Sequence, residues 1–195
     1  MPNTYTQLYI QFVFAVKGRQ SLISKEWNES LYKYITGIVQ NNKSKMLCIN
    51  GVSDHVHIFI GYHPAVSIPD LVKDIKIASS LWINDNKLVI RKFNWQEGYG
   101  AFSYSRSQLD AVCNYIKNQE AHHKKNSFKE EYMDFLRQFE VAYDEKYLFE
   151  FIDLQFKKFG FTTPWGFNIC SIGMRFCSTP YGVEHYNLGM HCYNY

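Results

Sequence analysis

Residues 45–62 read KMLCINGVSDHVHIFIGY. The stretch holds two strand-like runs, 45–52 and 54–62, placed so that they can pair as a hairpin. What flanks the hairpin sets the fold. Upstream, Trp27, Leu31, Ile35 and Ile38 recur at helical spacing, predicting a helix over 24–40 with Ser24 as its N-cap. Further upstream, residues 5–16 alternate. Thr6, Leu8, Ile10, Phe12, Phe14 and Val16 fall on one face, and Gln7, Tyr9 and Gln11 on the other, the pattern of a half-buried strand. Downstream, Ser67 caps a helix over 68–84 whose stripe is Leu71, Ile75, Ala78 and Trp82. Residues 85–97 carry no clear period, and a strand follows at about 98–105. The order β-α-β-β-α-β predicts an α+β, ferredoxin-like (RRM-like) fold with an antiparallel sheet. In that topology the first and third strands are central, so DHVHIFIG, residues 54–61, lies mid-sheet.

Helices are added beyond the sixth element. Ser107 and Asp110 form an S-x-x-D capping pattern for a third helix running to about Lys125. Ser127 and Glu130 repeat the device for a fourth, through about Glu140. From Asp153 onward neither period persists and Gly and Pro recur, so the expected organisation is one domain over 1–152 and an appended tail over 153–195.

Composition narrows the function classes. At 195 residues the chain can bury a substantial core. Its formal net charge of +3 is compatible with nucleic acid without arguing for it alone. Five cysteines, at 48, 113, 170, 177 and 192, include no C-x-x-C pair, which speaks against a disulfide framework or a zinc knuckle. No run approaches the ~20 apolar residues of a membrane span. The N-terminus alternates like a strand and lacks a signal peptide's basic region, so a cytoplasmic protein is expected.

Several residues could carry chemistry. His55 and His57, one residue apart in a strand, leave the same face and could share one metal ion, or be histidines hydrogen-bonded within the sheet. Tyr115 and Gln119, four apart on the third helix, share a face. There Tyr115 could be a nucleophile and Gln119 a ligand, or both could simply belong to an amphipathic helix. His122, His123 and Lys124 extend that face as phosphate contacts or as a solvated helix end. Lys73, Lys76 and Arg106, with nearby aromatics, could form a surface for single strands.

Four segments together resemble the single-tyrosine HUH transposases of the smallest bacterial insertion sequences, and also the REP-associated tyrosine transposases. They are DHVHIFIG, FNWQEGYGAFSYSRS, YIKNQEAHHKKNSFKEEY and VAYDEKYLF, covering about residues 1–152. The resemblance implies that Tyr115 is the nucleophile and that His55, His57 and Gln119 bind Mg²⁺ or Mn²⁺. It further implies a 5′-phosphotyrosine intermediate, single-stranded DNA with hairpin ends as substrate, and a homodimer whose tyrosine helix acts in trans. Residues 153–195 match nothing in the family. A domesticated relative would use the same residues, and an inactive relative is a further reading to which the unmatched tail points. An RRM-like module that binds single strands without catalysis shares the fold and places aromatics on the two central strands, whereas the third strand here offers His55, His57 and Phe59.

Overall fold

The computed structural model describes residues 5–144 and Leu148. Strand β1 (Leu8–Ala15) leads to helix α1 (Asn28–Asn41), the hairpin β2 (Lys45–Val52) and β3 (His55–Tyr62), helix α2 (Ile68–Asp85) and strand β4 (Gly100–Tyr104). Helices α3 (Leu109–Lys117), α4 (Gln119–His123) and α5 (Phe128–Gln138) follow. The four strands are ordered β2-β3-β1-β4, all antiparallel, with β1 and β3 central. The expected ferredoxin-like order is therefore present. Among the described residues no helix is long and apolar enough to cross a membrane. The proposed tail, 153–195, lies outside the described residues.

The period of two decides what each face of the sheet meets. Phe12, Phe14, Val56, Ile58 and Ile60 pack with Leu31 and Ile35 of α1 and Leu71 and Ile75 of α2. Val13, Ala15 and Phe102 turn the other way, onto Phe128, Tyr132, Phe135 and Leu136 of α5. Cys48 and Phe59 on that second face meet Val112 and Ile116 of α3. Full burial of a Phe, Leu or Ile side chain contributes about 1.5–3 kcal/mol, so both layers hold the sheet. The first strand is thus covered on both faces, not half-buried as its alternation suggests. The added C-terminal helices supply the second cover, which period counting within β1 cannot reveal. They also close the sheet face that an RRM-like reader would leave open: Phe59 and Phe102 are buried.

Three boundaries differ from the sequence reading. Helix α1 starts at Asn28; Ser24 instead accepts the Glu26 N–H in a preceding turn. The capping box before α3 is Ser105 with Gln108, around a short 3-10 turn at Arg106–Gln108. The expected single helix to Lys125 is broken at Asn118, whose backbone leaves helical geometry at φ −95° and ψ 18°. The amide of Asn50 on β2 donates to the carbonyls of Ile116 (3.0 Å) and Lys117 (2.9 Å), satisfying the acceptors that this break exposes. The second capping box, Ser127 with Glu130, opens α5 as expected.

Candidate active site

The hairpin brings β2 unusually close to β3. A Cβ on Gly51 would sit 2.2 Å from the His55 carbonyl oxygen, so only glycine permits this approach. Residues 55, 57 and 59 then point to the face covered by α3 and α5. His55 and His57 are completely buried there, with ring centroids 5.1 Å apart. The His55 Nδ1 lies 2.7 Å from Asp54 Oδ1, and the Arg19 guanidinium donates to the same carboxylate while lying over the Phe128 ring. Burial opposes ionisation of Asp54, but His55 and Arg19 hold its carboxyl down to about 2. Burial pushes the His55 imidazole down to about 4, against the pull of Asp54. His55 is therefore neutral at pH 7, with its proton on Nδ1 and the Nε2 lone pair facing the site.

His57 Nδ1 lies 2.9 Å from the side-chain amide of Gln11 on β1. The Gln11 Oε1 is buried without a partner. Turning that amide over lets Oε1 accept the Nδ1 proton, giving His57 the same tautomer as His55. The Nε2 atoms of both histidines are buried and make no hydrogen bond.

Opposite them stands a carboxylate that sequence reading missed. Glu131 on α5 is only 4% exposed. Its Oε2 lies 3.7 Å from His55 Nε2, 3.5 Å from His57 Nε2 and 3.2 Å from His123 Nε2, and none of these contacts is aligned as a hydrogen bond. Its Oε1 accepts from the Tyr115 hydroxyl and from the Gln119 amide nitrogen, the latter at 3.0 Å. Burial favours neutral Glu131, but His123 and His57 hold its carboxyl well below the usual carboxylate range. Burial pushes the Tyr115 phenol up, and the charge of Glu131 adds to this, so the hydroxyl stays protonated.

The predicted residues separate into those gathered here and those elsewhere. Tyr115 lies beside His57, ring centroids 6.1 Å apart, within one chain. Gln119 is completely buried, and its Oε1 has no hydrogen-bond partner. His123 joins the cluster, its Nδ1 3.0 Å from the Asn126 carbonyl oxygen, while His122 Nε2 is 3.7 Å from Glu131 Oε1. Lys124, Arg106 and Lys73 are exposed outside it. Lys76 has a structural partner set instead: its Nζ donates to the carbonyls of Gln96 (2.8 Å) and Gly98. Next to the cluster an open cleft of about 330 Å³ is lined by Tyr104, Gln108, Tyr115, His122, Glu131 and Asp134, among others. It offers access to the Tyr115 side of the site.

The donor set fits a divalent ion. His55, His57, His123 and Glu131 each offer one atom, all within 4.8 Å of one another. Ligands on an ion at about 2.1 Å stand roughly 3–4.3 Å apart, so modest closing suffices. The unpartnered, buried nitrogens are what such an ion would satisfy.

Comparison with known proteins places the chain in a family. A curated relative, ISDra2 transposase TnpA of Deinococcus radiodurans, is 25% identical over 118 residues, which cover 58% of this chain and 84% of that one. A crystal structure from Deinococcus radiodurans, assigned as a transposase, shares the fold with TM-score 0.50 and 22% identity over 61% of this chain and 95% of that one. A REP-associated tyrosine transposase bound to a REP hairpin aligns at TM-score 0.49 and 12% identity, covering 63% and 73%. The family described as "Transposase IS200 like" matches residues 4–119. That span is more than half of the sequence and takes in the histidine pair, Tyr115 and Gln119: this chain belongs to the IS200-like transposases.

Proposed function

We propose that this transposase cuts and rejoins single-stranded DNA at hairpin-forming element ends through a covalent bond to Tyr115, with a divalent ion held at His55 and His57. One observation carries the reading: the Tyr115 hydroxyl and the bare Nε2 atoms of the buried histidine pair converge on the same carboxylate, Glu131. Gln119, whose Oε1 is buried and unpartnered, is the third ligand that the family resemblance implies. A bound Mg²⁺ or Mn²⁺ would polarise a phosphate oxygen and offset the charge of the displacement.

The chain's own residues account for the remaining steps. The Tyr115 oxygen attacks phosphorus and gives up its proton, and the bond to the 3′ oxygen breaks. That oxygen leaves as a 3′-hydroxyl after taking a proton, and a 5′-phosphotyrosine remains. The new ester replaces the old one, so a different 3′-hydroxyl can attack it and join strands without ATP. A water nucleophile would forfeit that exchange.

The test uses a single-stranded hairpin taken from the DNA beside the gene, with Mn²⁺. The protein should become attached to the 5′ end of one product. Tyr115→Phe removes only a hydroxyl, so the adduct should vanish while hairpin binding stays within about twofold. An adduct formed by the phenylalanine variant would refute Tyr115 as nucleophile.

A further inference from the structure

The family match ends at residue 119, yet the carboxylate that faces the Nε2 atoms of both histidines lies beyond it, on α5. Resting on the reading above, we infer that Glu131 and His123 complete the metal centre with His55 and His57. In this arrangement Glu131 Oε2 is a ligand, and Glu131 Oε1 is a positioning group that holds the Tyr115 hydroxyl beside the ion.

Three independent observations converge on it. The first is direction. His55 and His123 both have Nδ1 engaged by an oxygen, Asp54 Oδ1 at 2.7 Å and the Asn126 carbonyl at 3.0 Å, leaving each Nε2 facing Glu131. An imidazole that donates from one nitrogen to a carboxylate or carbonyl is oriented to ligate with the other. The second is unmet polarity. Glu131 Oε2 and the Nε2 atoms of His55, His57 and His123 are buried and lack hydrogen-bond partners, although the three nitrogens stand 3.2–3.7 Å from Glu131 Oε2. A structural hydrogen-bond network would align these groups; a shared cation needs them apart and pointing inward. The third is the division of labour at one carboxylate. Oε1 takes two donors, Tyr115 and Gln119, while Oε2 takes none.

The donor chemistry also ranks the ions. Three imidazoles and one carboxylate suit first-row transition ions such as Mn²⁺ and Co²⁺, whereas Mg²⁺ prefers oxygen ligands. With the Gln119 oxygen of the reading above, five protein donors would hold the ion and leave room for a phosphate oxygen.

Metal binding without DNA tests the inference on the full chain. Titration calorimetry with Mn²⁺ should show binding by the wild type and its loss in His57→Ala. Glu131→Gln, which keeps shape and removes charge, and His123→Ala should each weaken Mn²⁺ by more than about tenfold, with circular dichroism spectra unchanged. Mg²⁺ should bind at least about tenfold more weakly than Mn²⁺. Electron spin echo spectroscopy of Mn²⁺ in the wild type should count three coordinated imidazoles, a readout that needs no variant to fold. Two imidazoles, or unchanged affinity in Glu131→Gln or His123→Ala, would overturn the inference while leaving the histidine pair in place. Mn²⁺ affinity unchanged in His57→Ala would remove the histidine-pair reading and this inference with it. Should Glu131→Gln fail to fold, Glu131→Asp replaces it, since a carboxylate one methylene short should also lose about tenfold.

Discussion

Among single side chains, the direction of a nitrogen lone pair separates His57 from His63. His57 is buried with its Nε2 aimed at Glu131, whereas His63, just past the end of β3, is exposed and accepts the Ala65 N–H at its Nδ1. His57→Ala should therefore lower DNA cleavage at least about a hundredfold, since losing a ligand costs more than the roughly 10–100-fold lost with an outer-shell partner. His63→Ala should stay within about twofold. Initial rates on the hairpin substrate check this, and equal damage from both would indicate a folding role. The histidine pair was legible because a period of two places both rings on one face. Glu131 was legible in principle. It lies on the stripe Phe128, Glu131, Tyr132, Phe135 at spacings of three and four, a carboxylate among core positions. The capping role of its neighbour Glu130 drew the reading away from it. Gln11 carried a weaker sign: it stands on the strand face opposite Phe12 and Phe14, a face whose cover comes from helices far downstream.

At the scale of elements, the site depends on how α3, α4 and α5 begin and end. Ser127 accepts the Glu130 N–H at the start of α5, and the Glu130 carboxylate accepts the Ser127 N–H in return. Ser127→Ala should cost about 1 kcal/mol and lower Tm by about 3 °C, measured by thermal melting. Because the same first turn carries Glu131, Mn²⁺ affinity should fall too, by less than the change from removing the carboxylate itself. The cap was visible in the S-x-x-E spacing. The break between α3 and α4 was not, because Asn118 fits a helix and nothing local demands interruption. Asn50, 66 residues away from Ile116 in sequence, stabilises the exposed carbonyls of that break. The break alters the Tyr115–Gln119 relation. They are no longer simply one turn apart on a continuous helix, yet both reach Glu131 Oε1.

For the whole molecule, the described core is built from residues 9–148. If residues 153–195 are an appendage, truncation after Asp153 should leave a folded, monodisperse protein with the Tm of the full chain within about 2 °C, and aggregation would show that the tail completes the fold. The family resemblance implies a homodimer with the tyrosine helix crossing to its partner, while one chain alone brings its own Tyr115 beside its own His57. A heterodimer of His57→Ala with Tyr115→Phe separates these arrangements. In a crossed dimer one site collects both defects and the other is intact, so cleavage should run at about half the wild-type rate if the sites are independent. If each helix serves its own chain, every site is defective and cleavage should be absent. Doubly tagged, doubly purified heterodimers assayed on the hairpin give the answer.

The chain's local patterns determined the element order, the central place of the His-x-His strand and the shared face of its two imidazoles. These follow from periods of 2.0 and 3.6 residues, which are written in neighbouring positions. Tertiary structure decided what the imidazoles face. Asp54, Gln11, His123 and Glu131 come from a turn, a central strand and two helices, and only packing of α5 onto the second sheet face aims Glu131 between the histidines. Burial then keeps His55 neutral, while His123 and His57 keep the buried carboxylate charged. Desolvation and the direction of a lone pair depend on every element that encloses the group, so no local spacing encodes them.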